Sequence, residues 1–176
     1  MVNYGLYIIK DNYFNKFEDI GNIKKWNKRG RPQFLYLKDN KHTDIYWVIP
    51  LTTKLDKVKE LIKKEEAEFG ENNCIKAYIL KVGGKKRGLL IQDMMPITVD
   101  YVDHKFTYGK NHVIIKNKKD LRIINSKSNT WLALIKQGRV FFEDQVRAIK
   151  IYEELVKECT LREVAIASDK KETINK

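Results

Sequence analysis

The 176-residue chain has only two cysteines and three histidines, and its acidic residues fall well short of its basic ones. Cys74 and Cys159 stand far apart, without the paired spacing of a zinc site or a redox motif. His42, His104 and His112 are scattered, and none has the His-x-x-x-His or Glu-x-x-His spacing of a helical metal site. The acidic residues lie mainly on helix faces among lysines, and no carboxylate pair stands at strand ends, which disfavours a two-metal nuclease centre. No metal and no cofactor is expected. Apolar runs are short: none approaches the roughly 20 residues that cross a bilayer, and Met-Val-Asn-Tyr-Gly at the start has no basic region followed by an apolar one. The expectation is a cytoplasmic protein with no membrane partner. Internal repeats and low-complexity segments are also missing.

What is present is basic charge on a chain able to form a core. Lysine and arginine total 35 against 23 acidic residues, a net charge of +12, while 43% of residues are hydrophobic and 11% aromatic. Disordered basic tails lack such aromatics, so the composition describes a folded domain. Its excess charge suits a polyanion, nucleic acid being the commonest, or serves solubility alone, since the basic residues are spread along the chain.

The most informative stretch is Ile49-Pro50-Leu51-Thr52-Thr53-Lys54. A third strand, Asp44 to Leu51 with its apolar run from Ile45 to Ile49, ends there in two hydroxyls and an ammonium, and Val58, Leu61 and Ile62 then give the spacing of a helix. Thr53 occupies the expected N-cap, with Asp56 three residues on. The free N–H groups of a first helical turn, Lys54 and both hydroxyls would converge on an anion such as phosphate. Under the alternative, the threonines only cap the helix and Lys54 is a solvated lysine.

Further strands are predicted at Tyr4 to Ile9, Gln33 to Leu37, Cys74 to Val82 and Arg87 to Ile91, the last two joined through Gly83-Gly84 as a hairpin. That glycine pair precedes Lys85-Lys86 but lacks the P-loop pattern. Pro96 to Val102 reads as a short strand, and His104 to Asn111 as an irregular stretch carrying Phe106 and Tyr108. Helical spacing predicts a first turn or two at Lys10 to Phe17, a helix from Leu55 to Phe69, and two more at Val113 to Gln137 and Glu143 to Glu158. In the third of these, Leu121, Ile124, Trp131, Leu132 and Ile135 are the expected core positions. Thr160 to Ala167 extends the last helix or forms another, and residues 168–176 read as a polar, frayed tail behind a single domain of residues 1–167. Strands first and helices grouped late argue an α+β fold with a strongly curved, barrel-like antiparallel sheet.

Basic residues gather in three places: Lys24, Lys25, Lys28, Arg29 and Arg31 in a loop, Lys85, Lys86 and Arg87 at the hairpin tip, and Lys116, Lys118, Lys119, Arg122 and Lys127 along a helix flank. With Lys16 and His104 they are the candidate RNA-binding residues. Trp26, Tyr36 and Phe106 are either stacking platforms or core. The chemistry compatible with this set is metal-free RNA cleavage, in which the ribose 2′-OH attacks the adjacent phosphate and leaves a 2′,3′-cyclic phosphate and a 5′-hydroxyl. Thr52, Thr53 and Lys54 would orient and neutralise the phosphoryl oxygens. For the base, only His104, His112 or Tyr13 offer themselves, all distant in sequence. A non-catalytic RNA-binding protein is the alternative.

Arg31-Pro32 before a strand, Trp47 to Lys54, Leu90 to Thr98, Asn125-Ser126-Lys127 and Leu134 to Gly138 follow one another in an order that resembles the type III toxin–antitoxin endoribonucleases, the ToxN, AbiQ and CptN toxins, the CptN-like branch most closely. The resemblance implies a compact, highly twisted antiparallel barrel like that of MazF and Kid, with helices. It implies a metal-independent, sequence-specific endoribonuclease, with a possible place in phage defence. Its inhibitor would be a repeated small RNA folded as a pseudoknot, its substrate cellular RNA, and its assembly a closed ring of alternating protein and RNA. On that likeness Thr52 and Thr53 take the hydroxyl pair, Lys54 the lysine and Tyr13 the early tyrosine of the site. In ToxN the lysine follows one residue later, after a proline absent here, so Lys57 substitutes for Lys54.

Overall fold

The computed structural model of the chain describes residues 2–20, 32–39, 42–139 and 143–174. The basic loop with Lys24, Lys25, Lys28, Arg29 and Arg31, and with Trp26, lies outside the described residues.

In chain order the elements are β1 (Leu6–Ile9), α1 (Asp11–Lys16), β2 (Pro32–Lys38), β3 (Ile45–Thr52), α2 (Leu55–Phe69), β4 (Ala77–Val82), β5 (Lys85–Leu90), β6 (Met95–Thr98), β7 (Val102–Lys105), β8 (Thr107–Tyr108), β9 (Asn111–His112), α3 (Lys118–Lys136) and α4 (Glu143–Ile174). The class is α+β, with antiparallel sheets and a helical C-terminal part.

β3 is the centre. One edge pairs with β2, Phe34 opposite Ile49, and the other is divided: β6 takes Ile45 to Val48 and β5 takes Leu51 and Thr52. Trp47, Ile49 and Leu51 enter one core cluster with Leu6, Leu89 and Ile124, while Val48 enters a second with Tyr13, Ile97 and Ile151. Burial on both faces is why this strand reads as a continuous apolar run rather than an alternation.

The strand order is β4-β5-β3-β2-β1-β7, with β6 beside β3, and the described sheet does not close into a barrel. Register shifts lie between Leu35 and Leu37 and between Ile8 and Ile9, and β4 and β7 stay at opposite ends of the order. Helices cover the faces instead: α2 lies against β4 and β5, and α4 against β6. An ion pair of 2.6 Å between buried Glu65 and half-buried Lys76 joins α2 to the segment before β4.

Several boundaries differ from the periodicity reading. α3 starts at Lys118, because the Asn117 side chain accepts the N–H groups of Lys119 and Asp120 at 2.9 and 3.1 Å. Val113 to Ile115 are instead tied to the N-terminal segment, Leu6 N–H donating to the Val113 carbonyl and Ile115 N–H to that of Tyr4. β4 begins at Ala77 rather than Cys74. At the C-terminal end α4 is one helix through Ile174, so Thr160 to Ala167 extends it rather than forming another, and it also takes in most of the tail expected at 168–176. Ile124, Trp131, Leu132 and Ile135 of α3 are buried as their spacing predicts, and Leu121 packs against the same cluster partly buried. No helix among the described residues is long and apolar enough to cross a membrane.

Candidate functional site

Thr52 is the last residue of β3 and lies opposite Gly88 of β5. The chain then turns through Thr53 into α2, whose N-cap is Lys54, not Thr53. No side chain caps this helix; Thr52 Oγ1 accepts the Lys54 N–H at 3.2 Å, and the Thr53 carbonyl accepts the Leu55 N–H at 2.9 Å. The helix starts one residue later than a Thr53 cap requires, so the hydroxyl that serves the backbone is that of Thr52. The Thr53 hydroxyl has no hydrogen-bond partner among the described residues. Val58, buried in the first turns of α2, rests on Gly88, and so the corner is held by packing.

On β5 the period of two separates the basic tip. Lys85 and Arg87 share a face with Leu89, while Lys86 is on the other side, opposite Lys81 of β4. The two-residue turn Gly83-Gly84, both with positive φ, makes the hairpin tight enough to fix this alternation. Lys85 and Arg87 open onto a cleft of about 310 Å³ whose wall includes Thr52 and Thr53. Leu51, Val82 and Val113 supply apolar surface, and Phe106 and Tyr108 the aromatic side. No aspartate or glutamate is among its described lining residues. Two cations, two hydroxyls and two aromatic rings, without a carboxylate, suit a ligand that carries both phosphate and flat apolar rings.

The other expected site residues go elsewhere. Lys54 and Lys57 are exposed at the start of α2 and do not line the cleft. Tyr13 is fully buried, its hydroxyl donating to the Pro96 carbonyl at 2.7 Å among Phe14, Phe17 and Tyr101. Burial first, and then the Tyr101 phenol, push its pKa far above the usual tyrosine value. Its place is in the second core cluster, because α1 presents Tyr13 and Phe14 inward, so the position taken for a site tyrosine is structural.

Lys16 is engaged with Glu158, with the Tyr101 hydroxyl at 3.0 Å and with the faces of Phe17 and Tyr101. Burial works against its charge, but the hydrogen bonds to Glu158 and Tyr101 prevail and raise its pKa. Lys127 donates to the Cys74 carbonyl, and His104 on β7 is exposed with Nδ1 2.9 Å from Asp103 Oδ2. His112 has Nε2 3.0 Å from the Leu6 carbonyl oxygen, so that nitrogen carries the proton, and its ring meets Tyr7 edge to face. Lys116, Lys118, Lys119 and Arg122 are exposed before and along the start of α3 and form the expected flank. Among the described residues no three of His, Cys, Asp and Glu come together as metal ligands.

Two cleft residues escape a reading by local pattern. Tyr108 falls where the sequence looks irregular and Val113 where helical spacing is expected to begin, yet Thr107-Tyr108 and Asn111-His112 pair as a small ribbon around Gly109, which has a positive φ. The glycine between two short polar-aromatic runs was the available signal. No protein-family model matches the chain, and no curated protein matches it either.

Proposed function

We propose that the protein is a metal-independent endoribonuclease of the type III toxin kind, built on a strongly twisted sheet related to that of MazF and Kid. The observation that carries this reading is the cleft in which Thr52 and Thr53 meet Lys85 and Arg87 beside two aromatic rings, with no carboxylate among its described lining residues. A scissile phosphate held there would have its oxygens oriented by the hydroxyls and their growing charge offset by the two cations. The 2′-OH attacks phosphorus, the bond to the 5′-oxygen breaks, the 2′-proton goes to a base and a proton returns to the leaving oxygen. Lys54, next to Thr53 at the uncapped start of α2 and outside the cleft wall, is the candidate for offsetting the same charge from the rim, with Lys57 as its substitute. A repeated pseudoknot RNA would inhibit by covering the cleft and the exposed flank from Lys116 to Arg122, in a closed assembly of alternating protein and RNA in the cytoplasm.

A second reading, an RNA-binding protein without cleavage, is favoured by one observation: no histidine or carboxylate is among the described residues of the cleft, so the proton acceptor usual near neutral pH is missing from its wall. One experiment separates the two. RNA-stripped protein is incubated with mixed cellular RNA in EDTA and the fragment ends are mapped. Cuts leaving 2′,3′-cyclic phosphate and 5′-hydroxyl ends, lost in Lys54→Ala or Lys57→Ala with RNA affinity largely kept, support the nuclease. Binding without cuts supports the second reading.

A further inference from the structure

We propose that Tyr108 is a stacking platform for an unpaired base, so that the strand entering the cleft is single-stranded and is gripped at one nucleobase as well as at its phosphates. The inference rests on the reading of the cleft as an RNA site. Tyr108 is 66% exposed, although it lies on a ribbon of only two residue pairs that needs apolar contacts to persist. The ribbon is anchored through its base instead: Phe106 N–H donates to the Leu6 carbonyl at 2.8 Å, and Val113 N–H to the Phe106 carbonyl at 3.0 Å. Phe106 packs against the first core cluster, which leaves Tyr108 without a part in holding the fold.

The phenol has no hydrogen-bond partner and the ring no aromatic partner among the described residues. It lies beside the hairpin turn, where a Cβ placed on Gly83 would stand 3.8 Å from Tyr108 Cδ2. A lone exposed tyrosine is ordinary on a protein surface. This one differs because the same cleft carries Lys85 and Arg87. An open π-face next to two cations fits a polymer that alternates phosphates with aromatic rings, and a base inside a duplex has no free face to offer.

The test uses the full chain and two short fluorescent 2′-O-methyl RNA strands of equal length, which cannot be cut, one with all its bases and one abasic. Anisotropy gives the affinity of each for wild type, Tyr108→Ala and Tyr108→Trp. The expected result is an affinity about tenfold or more lower for Tyr108→Ala on the base-bearing strand, on the scale of a lost stacking contact, no change on the abasic strand, and recovery in Tyr108→Trp. Equal effects of Tyr108→Ala on both strands, or none on either, would overturn the inference and leave the cleft as a phosphate site. Failure of the wild type to hold either strand would remove the RNA reading itself, and this inference with it.

Discussion

Thr52 of β3 and Gly88 of β5 are partners across the sheet, and a methyl group at Gly88 would stand 3.0 Å from Thr52 Cγ2 and 2.6 Å from Val58 Cγ2. The absence of a side chain there lets α2 close down on β5 and sets where the two threonines emerge. Gly88→Ala must therefore move α2 or the end of β3. A destabilisation of about 1–3 kcal/mol is expected, the usual cost of overpacking, together with weaker RNA binding and lost cleavage. Thermal melting and a binding titration check this. A variant that melts and binds like wild type would mean that the corner is not set by this contact.

Lys85 and Arg87 line the cleft and Lys86 is on the opposite face, which turns a cluster of three similar charges into an internal control. Each of Lys85→Ala and Arg87→Ala is expected to lower the slope of log affinity against log salt by about 0.7 for single-stranded RNA, one phosphate contact each. Lys86→Ala should leave that slope nearly as it was. Three equal effects would point to a diffuse basic surface and against the cleft.

The strand-to-helix corner was legible because its signals are local: an apolar run, two hydroxyls, then helical spacing. β3 betrayed its central position by lacking alternation, the mark of burial on both faces. What could not be read is long-range. Thr52 and Arg87 share a wall only because β5 pairs with the last two residues of β3, and nothing in either segment announces its partner. Tyr13 failed in the opposite sense, since an aromatic residue in a short amphipathic turn looks the same whether its hydroxyl faces a substrate or a carbonyl oxygen. The start of α3 was misplaced because Val113 and Ile115 continue the helical spacing while bonding to the N-terminal segment, and only the Asn117 cap marks the true boundary.

Tyr13 supplies a clean separation of stability from activity. Its hydroxyl is the partner of the Pro96 carbonyl at 2.7 Å in a fully buried site. Tyr13→Phe strands that acceptor, and a loss of about 1–3 kcal/mol is expected. Cleavage or RNA binding per folded molecule should be unchanged at a temperature where the variant remains folded. Loss of cleavage with unchanged denaturation would return Tyr13 to the active site.

Tyr78 makes the alkaline limit of the fold predictable. Burial, and after it the hydrogen bond and charge of Asp120, whose Oδ1 accepts the phenol proton at 2.7 Å, push its pKa from the ordinary 10.0 up to about 12. Between those two values the folded chain keeps a proton that the unfolded chain has released. The contribution of Tyr78 to stability is therefore fully present below pH 10, falls as pH rises through the window, and is gone above about 12. Tyr13 and Tyr152 are also raised, so the decline should remain in part when Tyr78 is replaced. Urea midpoints measured at intervals from pH 9 to about 12 should fall less steeply in Tyr78→Phe than in wild type. Asp120→Asn should flatten the curve for a second reason, since it removes the charge that opposes phenolate formation. If Tyr78→Phe and wild type lose stability in parallel across the whole window, the Tyr78–Asp120 contact between β4 and α3 does not hold the proton in solution.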